Sequence, residues 1–238
     1  MTGKDRVVEN REVGGFSRVV LSVHNMLNEI QITQGEVESL SIEARAEILP
    51  KIRTTVRGGE LAVQLDGSLL DKLSFALATS LTRAVVRYHL TVKNLTCLEL
   101  VGFVHADVPE LRAGSLSLKF KGAGGITIGS LTARQVAAEL QGACRIKLSG
   151  QVDGQDVSIG GPGLYEALDL KSRTASVSLK GMGRARVWAI DELGVKVRGL
   201  GRVEVRGRPK IQEDVSPRVP QPGFGSQGSG VSFVEPSA

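Results

Sequence analysis

Basic side chains recur on both sides of a repeated glycine in this 238-residue sequence. The glycine returns every 18 to 20 residues, and Lys or Arg often stands directly before it or three residues after it. If the repeating units stack, like positions lie above one another and the cations form a stripe. Such a stripe attracts polyanions, for example acidic glycans, anionic lipid headgroups or nucleic acid. The predicted anion-binding stripe consists of Lys121, Arg145, Lys180, Arg184, Arg198 and Arg202, with His105 at an equivalent position.

The charges also admit a structural interpretation. The chain has a net charge of +5, whereas residues 171–210 hold 11 Lys and Arg against 3 Asp and Glu. Opposite charges alternate from one repeat to the next at Lys147, Glu166, Arg186 and Glu204. Such pairs contribute about 0.2–1 kcal/mol each and favour solubility and correct register. Both interpretations stay open, and the lack of aromatic residues between the basic ones argues against nucleic acid as a partner.

Residues that could carry catalysis or bind a metal are sparse. Asp153 and Asp156 are close in sequence, as are Glu166 and Asp169, but they occupy different positions of the repeat. Enzymes that cleave polysaccharides need carboxylates clustered on neighbouring strands. No Cys or His pair has metal-site spacing, and the glycine turns lack the Lys-Ser/Thr of a phosphate loop. We predict no catalytic residue, cofactor or metal, and a protein that is not an enzyme. The scattered histidines are His24, His89 and His105.

The elements that position these residues are predicted to be short β-strands. Apolar residues lie two and four positions before each glycine and alternate with polar ones, which is the period of a strand. The 29 glycines and the Val- and Ile-rich units disfavour helical repeats. The most economical arrangement is a coil of parallel strands, one repeat per turn, with turns about 4.8 Å apart. The predicted turn glycines are Gly102, Gly122, Gly142, Gly161, Gly181 and Gly199.

The sequence divides into a domain over 1–211 and a Pro/Gly/Ser-rich tail over 212–238. Within the domain we predict irregular N-terminal turns over 1–66, a helical insertion over 67–84 and regular repeats over 95–208. Leucines at helical spacing predict one short helix near 68–82, which either packs on the coil or binds a membrane surface or partner. The tail is predicted to be disordered or extended. Alternatively, it docks on a neighbour by adding Val231, Phe233 and Val234 to an open strand edge.

The two cysteines are predicted to be free thiols. Cys97 and Cys144 lie two repeats apart, which separates them by roughly 10 Å along the stack, beyond the reach of a disulfide. No stretch approaches the roughly 20 apolar residues of a membrane span, so we predict no transmembrane segment. The first residues lack the apolar segment of a secretory signal. The chain is therefore expected to be either cytoplasmic or a processed form.

Three N-terminal segments, residues 8–19, 29–35 and 40–44, carry a family resemblance together with recurring Gly-x-Gly turns. The turns are Gly122 to Gly124, Gly161 to Gly163, Gly181 to Gly183 and Gly199 to Gly201. Their order and spacing, from residue 7 to about 211, resemble the auto-transporter adhesin head domain called GIN. Members of that family favour Ser before the repeating glycine and Asp after the turn, where this chain has Lys, Gln or Arg. Members also typically begin with an export or lipoprotein signal.

The resemblance implies a right-handed parallel β-helix on a bacterial envelope protein, with no catalytic residues. We therefore predict an all-β, single-stranded β-helix, or β-solenoid, acting as a non-enzymatic cell-envelope or adhesin-like module. It would bind a polyanionic glycan or another envelope component through the basic stripe. The alternative is a cytoplasmic, self-assembling scaffold, a homo-oligomer whose β-helices stack end to end. The two hypotheses differ in localisation, cell envelope or extracellular against cytoplasmic.

Overall fold

The computed structural model of the chain describes residues 6–65, 85–215 and 230–234. These residues form β-strands, with one short 3-10 turn at Leu49–Lys51. The predicted helix near 68–82 and the whole insertion over 67–84 lie outside the described residues. The strands are β1 Arg6–Arg11, β2 Arg18–Gln34, β3 Ser39–Arg45, β4 Ile52–Arg57, β5 Glu60–Leu65, β6 Val85–Val92, β7 Cys97–Gly160, β8 Leu164–Gly181, β9 Arg184–Gly199, β10 Arg202–Arg206, β11 Lys210–Val215 and β12 Val231–Val234.

The strands make one sheet of 12 strands in which parallel and antiparallel pairs are mixed. The main order is β1-β3-β6-β2-β7-β8-β9-β10-β12, with β5 on β2, β4 on β5 and β11 on β9. The pairs β1–β3, β3–β6 and β4–β5 are antiparallel. The pairs from β2 through β7, β8 and β9 to β10 are parallel. Among the described strands, the antiparallel pairs therefore involve only β1 to β6, whereas every pair of β7 to β12 is parallel.

The prediction of a single right-handed parallel β-helix, or β-solenoid, is wrong. The sheet is mixed and is not closed, because its order ends at β1 on one side and at β12 on the other. The antiparallel part has a local cause: Gly58 and Gly59 adopt φ of 56° and 75° and reverse the chain between β4 and β5. Two consecutive positive-φ residues are what a tight hairpin requires. The repeated glycine begins only at Gly102, so the N-terminal strands are connected in other ways.

The six predicted turn glycines lie side by side in space. All six have positive φ, between 105° and 140°. A Cβ added to any of them from Gly122 onward would meet the backbone of the preceding glycine of the series. Along the parallel part, paired residues are 17 to 20 positions apart in sequence. The 64-residue β7 therefore bends at its glycines, and successive segments pack against one another.

The core is built from the alternating apolar residues. The residues two positions before each repeated glycine are at most 1% exposed, which confirms the inward face predicted from the period of two. They are Leu100, Phe120, Leu140, Ile159, Leu179 and Val197. Cys97 and Cys144 are buried and free, as predicted. Burial raises the pKa of the Cys144 thiol, so it stays protonated and unreactive.

Two buried polar residues hold irregular parts of this core. Asn28, which is fully buried, follows a register shift between Val23 and Leu27 in the pairing of β2 with β7. Its Nδ2 donates hydrogen bonds to the carbonyl oxygens of Met26 at 3.0 Å and Phe103 at 3.2 Å, and more weakly to that of Val23 at 3.4 Å. Its Oδ1 accepts a hydrogen bond from the Tyr88 hydroxyl. Asn28 thus joins backbone carbonyls on both sides of the register shift through one buried amide.

A second network satisfies polar groups between β7, β8 and β9. The Tyr165 hydroxyl donates to Gln155 Oε1 at 3.0 Å, and Gln155 Nε2 donates to Ser172 Oγ at 2.8 Å. The Ser172 hydroxyl donates in turn to the Trp188 carbonyl oxygen at 2.7 Å. Burial raises the pKa values of Tyr88 and Tyr165, so both hydroxyls remain neutral donors.

The described parts of the predicted tail, residues 212–215 and 231–234, lie in strands, so these residues are extended and not disordered. Residues 212–215 complete β11, which pairs with β9. β12 pairs in parallel with β10, from Val203 opposite Val231 to Arg206 opposite Val234. Val231 packs against the core, whereas Phe233 is 60% exposed. The C-terminal strand thus adds to an edge of its own chain and covers the backbone of β10.

Removal of β12 tests whether it protects the sheet edge. We expect a chain ending after residue 229 to self-associate more than the full chain, because β10 then presents unpaired N–H and C=O groups. Sedimentation velocity over a range of concentrations would measure this. A matched truncation after residue 234 keeps β12 and should behave as the full chain does. Identical sedimentation of all three forms would show that β12 has no protective role.

Candidate functional site

Three glycine turns stack at one corner of the sheet, near its C-terminal end. We call residues 160–164, 180–184 and 198–202 the glycine corner. The N–H of Gly161 donates to the carbonyl oxygen of Lys180 at 3.0 Å, and the N–H of Leu200 donates to that of Gly181 at 2.8 Å. Arg184 and Arg202 donate likewise to Gly163 and Gly183. The turns are therefore neighbours, joined by backbone hydrogen bonds.

Glycine is required at the corner because the turns lie directly on the core. A Cβ at position 183 would stand 2.6 Å from the Ile159 Cγ2 atom, and one at position 201 would stand 2.8 Å from Leu179 Cδ1. Gly199 has a φ of 126°, which side chains rarely allow. The glycine corner thus consists of tightly packed turns in which the glycines leave room for core side chains.

Cations flank two of the three turns and form two rows. Lys180 is in register with Arg198, and Arg184 is in register with Arg202. Adjacent strands are about 4.8 Å apart, so the two cations of each row start from neighbouring backbone positions. Arg184 Nε lies 3.8 Å from Glu204 Oε1, but Lys180, Arg198 and Arg202 form no ion pair with any described residue. The structure therefore brings together four of the six residues of the predicted stripe.

The other two residues of the stripe are separated from this group and paired with acids. Lys121 Nζ lies 3.6 Å from Glu99 Oε1, and Arg145 Nε lies 3.5 Å from Glu166 Oε2. In the strand register, Leu164 stands between Arg145 and Arg184. The cations do not form one uninterrupted line, and the stripe residues without an ion pair to a described residue lie at the glycine corner.

The apex of the corner is apolar, a feature that the sequence interpretation missed. Met182 is 68% exposed and Leu200 is 63% exposed, and Pro162 is exposed beside them. The signal was present in the sequence, since an apolar residue follows every one of the six repeated glycines. These residues are Phe103, Ala123, Ala143, Pro162, Met182 and Leu200.

Residues 17–209 match the family model described as "Putative auto-transporter adhesin, head GIN domain". This chain belongs to that family. The resemblance inferred from the sequence is thereby confirmed, and the description of the family indicates an adhesin-like protein of the cell surface or envelope. No curated protein matches the sequence.

Solved structures share the fold of this GIN domain. A "putative adhesin" from Bacteroides fragilis is 19% identical, with a TM-score of 0.77 over 98% of this chain and 96% of the other. A "putative lipid binding protein" from Parabacteroides distasonis is 17% identical, with a TM-score of 0.66 over 97% of both chains. A "putative adhesin" from the same species is 16% identical, with a TM-score of 0.67 over 97% of both chains.

Other charges of the GIN domain form the ladder proposed as the structural interpretation. Arg186 lies between Glu166, at 3.6 Å, and Glu204, at 2.8 Å, and the three residues are in register across β8, β9 and β10. Their side chains are partly buried, which reduces screening by solvent. The predicted ladder is confirmed for these three residues. The charges of the ladder are thus paired, whereas Lys180, Arg198 and Arg202 at the glycine corner form no ion pair with a described residue.

The GIN domain also has a groove of about 660 Å³, lined by residues of β2, β6 and β7. Most of its charges already have partners: Arg87 binds Glu29 at 2.9 Å and Glu43 at 3.3 Å. A hydrogen bond from Arg6 and the charge of Arg87 lower the pKa of Glu43. His89 and His105 line the groove and are exposed. The groove therefore offers less free charge than the glycine corner does.

The carboxylates considered for catalysis do not gather in one cavity. Asp153 and Asp156 are exposed on β7, whereas Glu166 belongs to the ladder and Asp169 lies 3.8 Å from Arg206. Within residues 6–65, 85–215 and 230–234, no group of three His, Cys, Asp or Glu residues could hold a metal ion. Over the same residues, no helix is long and apolar enough to cross a bilayer.

Proposed function

We propose that this GIN domain is a non-enzymatic, adhesin-like binding module of the cell envelope whose glycine corner holds a polyanionic ligand. The observation that carries the proposal is the pair of cation rows, Lys180 with Arg198 and Arg184 with Arg202, of which three members lack an acidic partner. Membership of an adhesin head family supports a role in binding at the cell surface.

Electrostatics supports a ligand at this corner. Two like charges at 4 Å repel by about 1 kcal/mol in water, and a polyanion bound to both removes that repulsion. Its binding also releases counterions, which makes the affinity strongly dependent on salt. The neighbouring ladder of Glu166, Arg186 and Glu204 shows how the same strands neutralise charge when an acid is in register. At the corner, the acid is proposed to come from the ligand.

The ligand class is an envelope component that presents repeated negative charges, such as an acidic glycan or a phosphate-rich component. The rows run across two neighbouring turns, so a chain lying over the corner contacts both rows at once. Nucleic acid is a weaker candidate, because within the described residues no aromatic side chain stands at the corner to stack on bases.

Substitution of the unpaired cations tests the proposal. We expect the triple variant Lys180→Ser, Arg198→Ser, Arg202→Ser to bind heparin more than about tenfold more weakly than the native chain at low salt, with a shallower salt dependence. Titration of fluorescent heparin at several salt concentrations gives both quantities. The variant Arg134→Ser, Lys147→Ser removes exposed cations elsewhere and should change the affinity little. Equal affinities for the two variants would contradict the proposal.

A further inference from the structure

We infer that the glycine corner docks on an anionic lipid bilayer, with Met182 and Leu200 entering the headgroup region. This inference rests on the proposed function, because the same cations would bind the lipid phosphates. It adds the source of the negative charge, a membrane surface, and assigns a role to apolar residues that a soluble polyanion would leave exposed.

The apolar residues stand together rather than singly. Isolated exposed apolar residues are common on protein surfaces and need no explanation. Here the backbone N–H of Leu200 donates a hydrogen bond to the carbonyl oxygen of Gly181, the residue before Met182. The turns that carry Leu200 and Met182 are therefore in direct contact. Pro162 occupies the corresponding position of the preceding turn, whose Gly161 N–H is bonded to Lys180. Three exposed apolar side chains therefore share one apex.

The cations stand at the base of this apex in a symmetrical arrangement. Met182 and Leu200 each have a glycine on both sides, and a cation follows one residue further out on each side, as Lys180 and Arg184 around Met182. Arg198 and Arg202 flank Leu200 in the same way. Exposed apolar residues flanked by basic residues match the layers of a bilayer, because its phosphates lie outside its acyl chains. An acidic glycan offers phosphate-like charge but no apolar layer for the tips.

The packing of the corner favours insertion without rearrangement. Gly183 and Gly201 fit against Ile159 and Leu179, so the apex is held by the core. The glycines add no side chains that would cover Met182 or Leu200. Preorganised surfaces lose less conformational entropy on binding than mobile loops do. The row of apolar residues that follow the repeated glycines also includes Phe103, which is 57% exposed. The stripe cations nearest to it in sequence, Lys121 and Arg145, are ion-paired. Docking is therefore confined to the glycine corner.

Vesicle binding separates this inference from ionic binding alone. We expect the native chain to co-sediment with vesicles of phosphatidylglycerol and phosphatidylcholine in equal parts, and not with phosphatidylcholine alone. The variant Met182→Ser, Leu200→Ser should bind vesicles at least about tenfold more weakly. A tenfold change in affinity corresponds to about 1.4 kcal/mol, and partial burial of two such side chains contributes more than that. Its affinity for heparin should remain that of the native chain. The control Val37→Ser, Ile190→Ser removes exposed apolar residues outside the corner and should bind vesicles normally.

A spectroscopic readout reports insertion directly. The emission of a Leu200→Trp variant should shift to shorter wavelength with the anionic vesicles and should not shift with heparin. Vesicle binding that is equally tight in the Met182→Ser, Leu200→Ser variant and its control would overturn the inference. Binding to heparin without binding to vesicles would also overturn it while the proposed function stands. Binding to neither would contradict both. All substituted residues are exposed, and thermal unfolding would verify that each variant is folded.

Discussion

Gly122→Ala lowers the free energy of unfolding by more than about 3 kcal/mol, which is an expected result of both strain and collision. Gly122 has a φ of 140°, a conformation that an alanine adopts only under strain. The added Cβ would also collide with the carbonyl oxygen of Gly102 in the adjacent segment. Because that oxygen belongs to packed backbone, the clash cannot be relieved by rotating a side chain. Urea unfolding followed by circular dichroism would measure the change.

Gly194→Ala is the matched control for this prediction. Gly194 lies within β9, and a Cβ added there has no atom within 4 Å. Replacement of an unstrained strand glycine by alanine reduces the entropy of the unfolded chain and is neutral or mildly stabilising. If both alanine variants unfold at the same urea concentration, the close approach of the stacked glycines does not constrain the sheet.

Asn28→Leu is expected to lower the free energy of unfolding by about 3 kcal/mol or more. The leucine fits the volume of the asparagine but donates no hydrogen bond. The carbonyl oxygens of Met26 and Phe103 and the Tyr88 hydroxyl would then be buried without their partner. The side chain of Asn28 is fully buried, so water does not readily replace the lost amide. Thermal and urea unfolding should both detect the loss.

Two further variants locate the origin of that effect. Tyr88→Phe removes only one of the partners of Asn28, so about 1 kcal/mol is expected. Asn10→Leu makes the same chemical change at an exposed position of β1 and should alter stability by less than about 0.5 kcal/mol. A stability of Asn28→Leu close to that of Asn10→Leu would show that the amide is dispensable.

The strands and their inward faces could be predicted from the sequence, but the direction of pairing could not. Alternation of apolar and polar residues is the same in parallel and antiparallel strands, so the pattern around Leu40 and Leu61 carries no sign of direction. The hairpin at Gly58 and Gly59 was the local clue to an antiparallel pair. For Val231 to Val234 the sequence predicts a strand only as an alternative and on the edge of a neighbour, because four residues after a Pro- and Gly-rich segment give a weak pattern.

The candidate site could be predicted in part. The repeat placed Lys180 with Arg198 and Arg184 with Arg202, because like positions meet when segments of nearly constant length pair in parallel. The sequence could not separate the paired cations from the unpaired ones. That difference depends on whether a long side chain reaches an acid in a neighbouring segment, as Arg145 reaches Glu166. Exposure of Met182 also depends on the positive φ of Gly181, which turns the chain outward.

The backbone hydrogen bonds between the turns of the glycine corner have a mechanical consequence. A ligand that pulls on Leu200 also pulls on Gly181 through the bond from the Leu200 N–H, and the Lys180 carbonyl is joined in turn to Gly161. Tension at the apex is therefore shared by three segments of the sheet. A single surface loop would carry the same tension on its own two ends. If the glycine corner binds a surface ligand as proposed, this sharing of tension would help the corner to stay folded when fluid flow pulls on the ligand.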